Sequence, residues 1–455
     1  MSIGVKYYST NGKAPVVTFR EALLKGLAPD RGLYMPDHIP VFSGEELEGF
    51  RKKDYHIIAV EILRKFIGDE VRPNDLERLC NEAYNFEVPL EKVYDRKYIL
   101  RLDQGPTASF KDFAARMMSR LMQYFLAEEK KQLTILTATS GDTGSAVASS
   151  FYGLENTNVI ILFPADEVTD MQRKQMSTLR KNITVIAVDG KFDDCQHMVK
   201  KAFTDPTLSH IPLSSANSIN IGRLLPQTVY YFYAWAKLAV GTDDKAIFSV
   251  PSGNFGNLTA GLLASRMGLP VKKFIISTNS NDEVPEFLRS GIYKPLIPSK
   301  KCISSAMNVG HPSNLARIVA LYAGMMNEKG KLIRKPDMNS MSGDLFGVSV
   351  SDDETRNTIE NIYRDHKVIL EPHGAIAWRG ILEYLNNGNK QDLEEQLFIS
   401  LETAHPAKFP TELQKILGFT PPLPPSMTEL EGKTENFLTT DNNYQSLKKI
   451  ILRGI

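Results

Sequence analysis

From Val93 onward the chain alternates short β-branched runs with amphipathic helical stretches. The strand candidates are KYILRL, LTILTAT, NVIILFP, ITVIAVD, AIFSVP, VKKFIIS, KVILEP and EQLFISLE. Helix candidates lie between them, among them FKDFAARMMSRLMQYFLAEE, DDCQHMVKKAFTD, RLLPQTVYYFYAWAKLA and NLTAGLLASRMG. Near-continuous apolar strands have no polar face to turn to water, so helices must cover both faces of their sheets. The expected fold class is therefore α/β, with open, twisted, mostly parallel sheets flanked by helices. Eight or more strands over roughly 300 residues call for two such units rather than one.

Ahead of this region, Phe42 to Ala83 reads as helical, with apolar residues at helical spacing and Asn74 placed as a cap before DLERLCNEAY. Turn residues gather near Asp205–Ser215 and Pro295–His311, and TPPLPPS after Gly418 favours an extended connector. The expected organisation is a largely helical N-terminal domain over 1–90, a core of two α/β subdomains over 91–420, and a C-terminal extension over 421–455.

Composition narrows the function. The 455 residues carry 54 basic and 53 acidic side chains, a formal net charge of +1, so no nucleic-acid partner is expected. Cys80, Cys195 and Cys302 lie far apart without metal-ligand spacing, so reduced thiols and no metal site are expected. The start, MSIGVKYYSTNGKAP, has neither a basic segment nor an apolar core, and no uncharged apolar run approaches membrane-spanning length. A cytoplasmic protein without a membrane partner is expected.

Three strand-to-helix turns could hold anions. LTILTAT runs into Ser140, Gly141, Asp142, Thr143 and Gly144, and then into SAVASSFYG. AIFSVP runs into SGNFGN, with Gly253, Asn254, Phe255, Gly256 and Asn257 ahead of LTAGLLASRMG. SSANSINIGR follows HIPLS and carries Asn217, Asn220 and Arg223. Small residues admit a ligand close to the backbone, and a helix start offers free N–H donors and positive potential. One such turn is ordinary in any α/β protein. Three, all rich in hydroxyl and amide donors, point to an enzyme whose ligands carry several anionic groups, bound beyond the carboxyl ends of the strands. Dinucleotide binding stays open at this point, although neither a P-loop nor a GxGxxG spacing is present.

GPTASFKDF places Lys111 at a helix start behind small residues. Desolvation there lowers an amine's pKa and leaves it able to form a Schiff base with a carbonyl. A pyridoxal-phosphate enzyme needs such an amine, a phosphate seat and a partner for its ring nitrogen. LFISLETAHPAKF offers Thr403 for the last role, with Glu402 and His405 as rivals. Histidines 197, 311, 373 and 405 read as structural hydrogen-bonding residues, and YYFYAW (Tyr230–Trp235) as a helix core face.

GPTASFKDF, TATSGDTGSAV, SSANSINIGR, VPSGNFGN, EPHGA and ETAHPAKF, in this order, resemble the threonine synthase family in its fungal and bacterial branch. The resemblance covers nearly the whole chain, including GLAPDRGLYMP. It implies a fold-type-II pyridoxal-phosphate enzyme, similar to the tryptophan synthase β subunit, that turns O-phospho-L-homoserine and water into L-threonine and phosphate. On this resemblance Lys111 is the Schiff-base lysine and proton shuttle. Gly253, Asn254, Phe255 and Asn257 would hold the cofactor phosphate, and Thr403 the pyridine nitrogen. Asn257 stands where the family often has Asp. Ser140, Asp142 and Thr143 would grip the substrate, with Asn217 and Arg223 on its phosphate or carboxylate. A monomer or homodimer is expected. A serine or threonine dehydratase is the alternative within the same cofactor class, and a nucleotide-binding protein the alternative outside it.

Overall fold

The computed structural model describes residues 4–387 and 395–453. Strand β1 (Tyr7–Ser9) pairs antiparallel with β2 (Tyr34–Pro36). Helices Gly44–Phe50, Tyr55–Ile67 and Pro73–Ala83 follow. Ser43 and Glu46 cap the first of these reciprocally, each side chain bonding the other residue's backbone N–H. Asn74 is not the cap of the third. Pro73 occupies the first helical position, where its fixed φ and missing N–H cost nothing, so Arg72 takes the cap place.

Strands β3 (Leu90–Tyr94) and β4 (Lys97–Arg101) form an antiparallel hairpin. The chain then enters helix Lys111–Glu129 and lays down β5 (Leu133–Ala138), β6 (Thr157–Pro164), β7 (Ile183–Asp189) and the short β8 (Leu213–Ser214). It returns through β9 (Ala246–Pro251) and β10 (Val271–Thr278). A small antiparallel pair, β11 (Met325–Met326) and β12 (Leu332–Arg334), precedes β13 (Leu345–Ser349), β14 (Leu397–Glu402) and β15 (Leu438–Asp441).

Two larger sheets result. One has the order β13–β10–β9–β14–β4–β3, parallel except for β3 at its edge. The other has the order β15–β7–β6–β5–β8 and is parallel throughout. All six residues of β9 and all six of β14 are buried, as strands covered on both faces must be. Tyr230, Tyr231, Phe232 and Trp235 are fully buried on helix Thr228–Leu238, where they serve as core.

KVILEP is not a strand. Its first residue, Lys367, takes a left-handed conformation that ends helix Asp352–His366, and its last, Pro372, starts helix Pro372–Asn387. The residues between are a short link with Val368 and Leu370 turned into the core. Burial of a link between two helices produces the same apolar run as a buried strand, and composition does not separate them.

The parallel strands set up the site. β14 lies between β9 and β4, with Ser400 opposite both Ser249 and Ile99. The segments leaving the carboxyl ends of these three strands are therefore neighbours, and the turn after β5 approaches them from the other sheet.

Candidate active site

Lys111 is the first residue of its helix, held there by the segment that follows β14. The N–H of Phe110 donates to the Thr403 carbonyl at 2.9 Å and that of His405 to the Ala108 carbonyl at 3.0 Å, with Ser109 and Ala404 bridged between them. Asp112 closes the preceding turn, accepting from the Thr107 N–H (2.8 Å) and hydroxyl (2.6 Å). The Lys111 side chain is 14% exposed, with its Nζ 4.8 Å from the centre of the Phe110 ring.

Nζ of Lys111 lies 3.6 Å from Asp142 Oδ2. The other oxygen of that carboxylate, Oδ1, accepts from Lys408 Nζ at 2.9 Å and from Gln172 Nε2 at 2.9 Å. Lys408 is fully buried. Burial pushes the Lys111 amine below its ordinary pKa; Asp142 pulls it back up, while Lys408 and Arg223 push it further down. Burial alone would raise the Asp142 carboxyl, but Lys408 and Lys111 outweigh it and hold the group well below the usual carboxylate range.

The loop carrying Asp142 is built on Thr139. Its hydroxyl accepts from the N–H groups of Gly141 (2.9 Å) and Gly144 (2.8 Å). Gly141 has φ +137°, and a Cβ there would meet the Gln172 carboxamide at 2.5 Å, so no other residue fits. Ser140 and Thr143, on either side of Gly141 and Asp142, are both partly exposed.

After β9, Phe255 adopts φ +62°, ψ +9° and turns the chain into helix Gly256–Arg266. The first turn of that helix has N–H groups without intrahelical acceptors. A Cβ at Gly253 would come within 2.8 Å of both the Ala306 carbonyl oxygen and Met307 Cα, so the backbone of 306–307 roofs this turn. Asn254 pins it: Oδ1 accepts from the Ser313 N–H (2.7 Å) and hydroxyl (3.0 Å), and Nδ2 donates to Ser218 Oγ (2.5 Å). Asn257 Oδ1 accepts from the Tyr230 and Tyr231 hydroxyls at 2.6 and 2.7 Å, while its Nδ2 is buried without a partner. An amide satisfies two hydroxyl donors here as a carboxylate would.

The SSANSINIGR loop is propped from the N-terminal region. Asn220 Nδ2 donates to the carbonyls of Leu23 (2.9 Å) and Ser215 (3.0 Å), and its Oδ1 accepts from the Gly222 N–H. Arg317, fully buried, donates to the carbonyls of Tyr34, Ser218 and Ile219 and to Asn314 Oδ1. Arg223 is buried and its Nη1 donates to the Ala216 carbonyl at 2.6 Å; burial lowers its guanidinium to about 10, so it remains a cation at neutral pH. Among the described residues, neither Arg223 Nε nor Asn217 Oδ1, both buried, has a hydrogen-bond partner.

Thr403, 6% exposed, donates to Glu371 Oε1 at 3.4 Å. Glu371 Oε2 faces His373 Nδ1 at 2.5 Å, and His373 Nε2 accepts from the Ala306 N–H at 3.2 Å, which assigns the proton to Nδ1. Glu402, a rival for Thr403's role, points the other way: its Oε1 accepts from the Glu371 N–H and lies 3.5 Å from Arg101. His405 accepts from the Ala407 N–H through Nδ1, and burial pushes its ring down to about 4. His311 contacts the Tyr293 hydroxyl at 2.8 Å.

The structure thus brings Lys111, Asp142, Lys408 and Arg223 within electrostatic reach of one another, pairs the Thr403 segment with the one leading into Lys111, and roofs the Gly253–Asn257 turn with the 306–307 backbone that also bonds His373. Sequence reasoning assigns no role to Lys408, Gln172, Glu371 or Arg317. Lys408 lies within ETAHPAKF, just past a strand end that leads to the same crevice, and that placement was the available signal.

Three family descriptions match the chain: "Threonine synthase N terminus" over residues 6–84, "Pyridoxal-phosphate dependent enzyme" over 91–399 and "Threonine synthase, C-terminal" over 375–451. The chain is 41% identical to threonine synthase of Escherichia coli over 426 residues, covering 93% of this chain and 94% of that protein. The crystal structure of pyridoxal-phosphate-bound threonine synthase from Brucella melitensis superposes with a TM-score of 0.91 at 36% identity, covering 99% of each chain. The yeast threonine synthase structure superposes with a TM-score of 0.88 at 32% identity, covering 98% of each chain.

The residues present fit pyridoxal phosphate. A buried amine of lowered basicity suits an aldehyde, a glycine-opened helix start suits a phosphate, and unpartnered donors such as Arg223 Nε and Asn257 Nδ2 suit an anionic ligand. On the strength of this crevice and these matches, the chain belongs to the threonine synthase family of pyridoxal-phosphate-dependent enzymes.

Proposed function

We propose that the substrate is O-phospho-L-homoserine, converted with water to L-threonine and inorganic phosphate, and that Lys111 anchors the cofactor and carries the protons. The observation behind this reading is the buried Lys111 amine beside Asp142, at the meeting point of the β4, β5, β9 and β14 ends. When bound, pyridoxal phosphate supplies an aldehyde for that amine and a conjugated ring that spreads charge developing on the substrate carbons.

Gly253, Asn254, Phe255 and Asn257 would hold its phosphate, with the helix start offering donors and Asn254 fixing the turn. Thr403 would be the partner of its ring nitrogen. Ser140 and Thr143 orient the substrate, while Asp142 between them holds the two lysine amines. Arg223 and Asn217 take the substrate's anionic ends. Lys111, as a neutral amine, removes a proton at Cα and returns one as the reaction closes. As phosphate departs from Cγ, a second proton passes by way of Lys111 from Cβ to Cγ, which becomes the methyl carbon, and water then adds at Cβ. The leaving phosphate, held near Arg223, takes the proton from that water.

Turnover separates this from the dehydratase alternative. Purified protein should release inorganic phosphate from O-phospho-L-homoserine in step with threonine formation. Ketoacid from threonine with no phosphate release would assign the chain to the dehydratases instead. Borohydride reduction followed by peptide mapping should find the pyridoxyl group on Lys111.

The same reading places the enzyme in the cytoplasm as a monomer or homodimer. Among the described residues no helix is long and apolar enough to cross a membrane, which supports it. It also divides the chain into 1–90, 91–420 and 421–455. The family matches over 6–84 and 91–399 support the first boundary, whereas the third, over 375–451, begins inside the second segment, and β15 of the last segment adds an edge to the sheet of β7.

A further inference from the structure

Two lysines share one carboxylate in this site. Lys408 Nζ and Gln172 Nε2 both bind Asp142 Oδ1, leaving Oδ2 to Lys111 at the longer distance of 3.6 Å. Lys408 has little freedom to move away. Its side chain is fully buried, and it ends the one-turn helix Pro406–Lys408, where its N–H donates to the His405 carbonyl at 3.0 Å. A single carboxylate balances one ammonium. With Lys408 in contact, a proton on Lys111 would add a second buried cation.

We propose that Lys408 is a positioning residue that keeps the Lys111 amine unprotonated by occupying Asp142 as its own counter-ion. This rests on the reading of Lys111 as the cofactor's lysine. The charged groups that face Lys111 come from four segments: Asp142 from the loop after β5, Lys408 from the turn after β14, Arg223 from the SSANSINIGR loop, and Glu371 from the link before helix Pro372–Asn387. Lys408 and Arg223 oppose the proton, and Asp142 and Glu371 favour it. Removing Lys408 deletes one opposing charge and hands Lys111 a carboxylate free of its nearest cation. Both changes act in the same direction. Lys111 then holds its proton at neutral pH and is a poor nucleophile for an aldehyde.

The test is competitive trace labelling of the full-length chain, freed of cofactor, with acetic anhydride across pH 6–11, read at Lys111 by peptide mass mapping. Wild type should label with a midpoint below that of an ordinary lysine. Lys408→Met should move the midpoint up by about one unit or more, so that labelling at pH 7 falls about tenfold. Lys408→Arg should restore the wild-type midpoint, because it keeps the charge against Asp142. If Lys408→Met fails to fold by circular dichroism, Lys408→Gln carries the same expectation. An unchanged or lowered midpoint in the neutral variant overturns the proposal. The cofactor reading fails separately: borohydride trapping on a different lysine of the loaded wild type would remove it without altering the labelling curve of Lys111.

Discussion

The guanidinium of Arg317 donates to the main-chain carbonyl of Tyr34, 283 residues earlier in the chain, at 3.1 Å. Among the described residues no carboxylate pairs with it, and burial lowers it to about 9, still cationic at neutral pH. Its remaining donors go to Ser218, Ile219 and Asn314, and Asn314 Nδ2 in turn donates to the Asn254 carbonyl at 3.1 Å. One side chain therefore ties together the N-terminal region, the SSANSINIGR loop and, through Asn314, the Gly253–Asn257 turn.

Replacing Arg317 with Met should cost about 3 kcal/mol or more, since four buried acceptors each lose a charged donor. Arg317→Lys should recover little, because a single ammonium cannot span the fork of a guanidinium. Urea denaturation measures the loss. A cost below about 1 kcal/mol for the Met variant would show that these contacts do not hold the three segments.

Lys111→Ala should abolish the imine absorbance of the purified protein and lower turnover by at least about a thousandfold, the scale of a lost general base combined with a lost anchor. Gly253–Asn257 is untouched, so cofactor should still bind reversibly, detectable by equilibrium dialysis. Persistence of the imine absorbance would move the anchor to another residue.

Gly253→Ala places a methyl within 2.8 Å of backbone at Ala306 and Met307, which cannot rotate away as a side chain can. Overpacking of this kind costs about 1–3 kcal/mol, so cofactor affinity should fall roughly tenfold or more. Cofactor titration followed by fluorescence gives the number, and an affinity equal to wild type would contradict a roofed turn.

Glu283 is buried, and among the described residues neither carboxylate oxygen has a hydrogen-bond partner; burial pushes its carboxyl up to about 7. In the unfolded chain it ionises near 4.5. Between those values the unfolded state has released a proton that the folded state keeps, so folding stability falls as pH rises from about 4.5 to about 7 and levels off above. Glu283→Gln should therefore stabilise the protein by roughly 2–3 kcal/mol at pH 8 and by little at pH 4.5. Denaturation at the two pH values checks both halves.

Sequence periodicity revealed the inner strands and, in HIPLS, the edge strand β8, but not the other edges. β5, β6, β9 and β14 are continuous apolar runs because helices cover both faces. The edge strands β3 and β15 expose mixed side chains, LEKVY and LTTD, and β13, LFGVS, is short and interrupted by glycine, so none carries that signal. KVILEP carried it for another reason, as a buried link. Around the candidate site, the helix start at Lys111 and the strand-to-helix turn at SGNFGN were legible because local sequence sets them. Lys408 and Arg317 were not, because nothing near them in the chain indicates their partners: 266 residues separate Lys408 from Asp142.

The bridge between Ser109 and Ala404 also has a temporal meaning. During synthesis on the ribosome, Lys111 emerges long before Ala404 and Lys408, so on the reading of Lys111 as the cofactor's lysine the segment that braces it comes only with the last tenth or so of the 455 residues. Truncation anywhere upstream of Lys408 should leave a product that never turns yellow, however well its earlier portions fold.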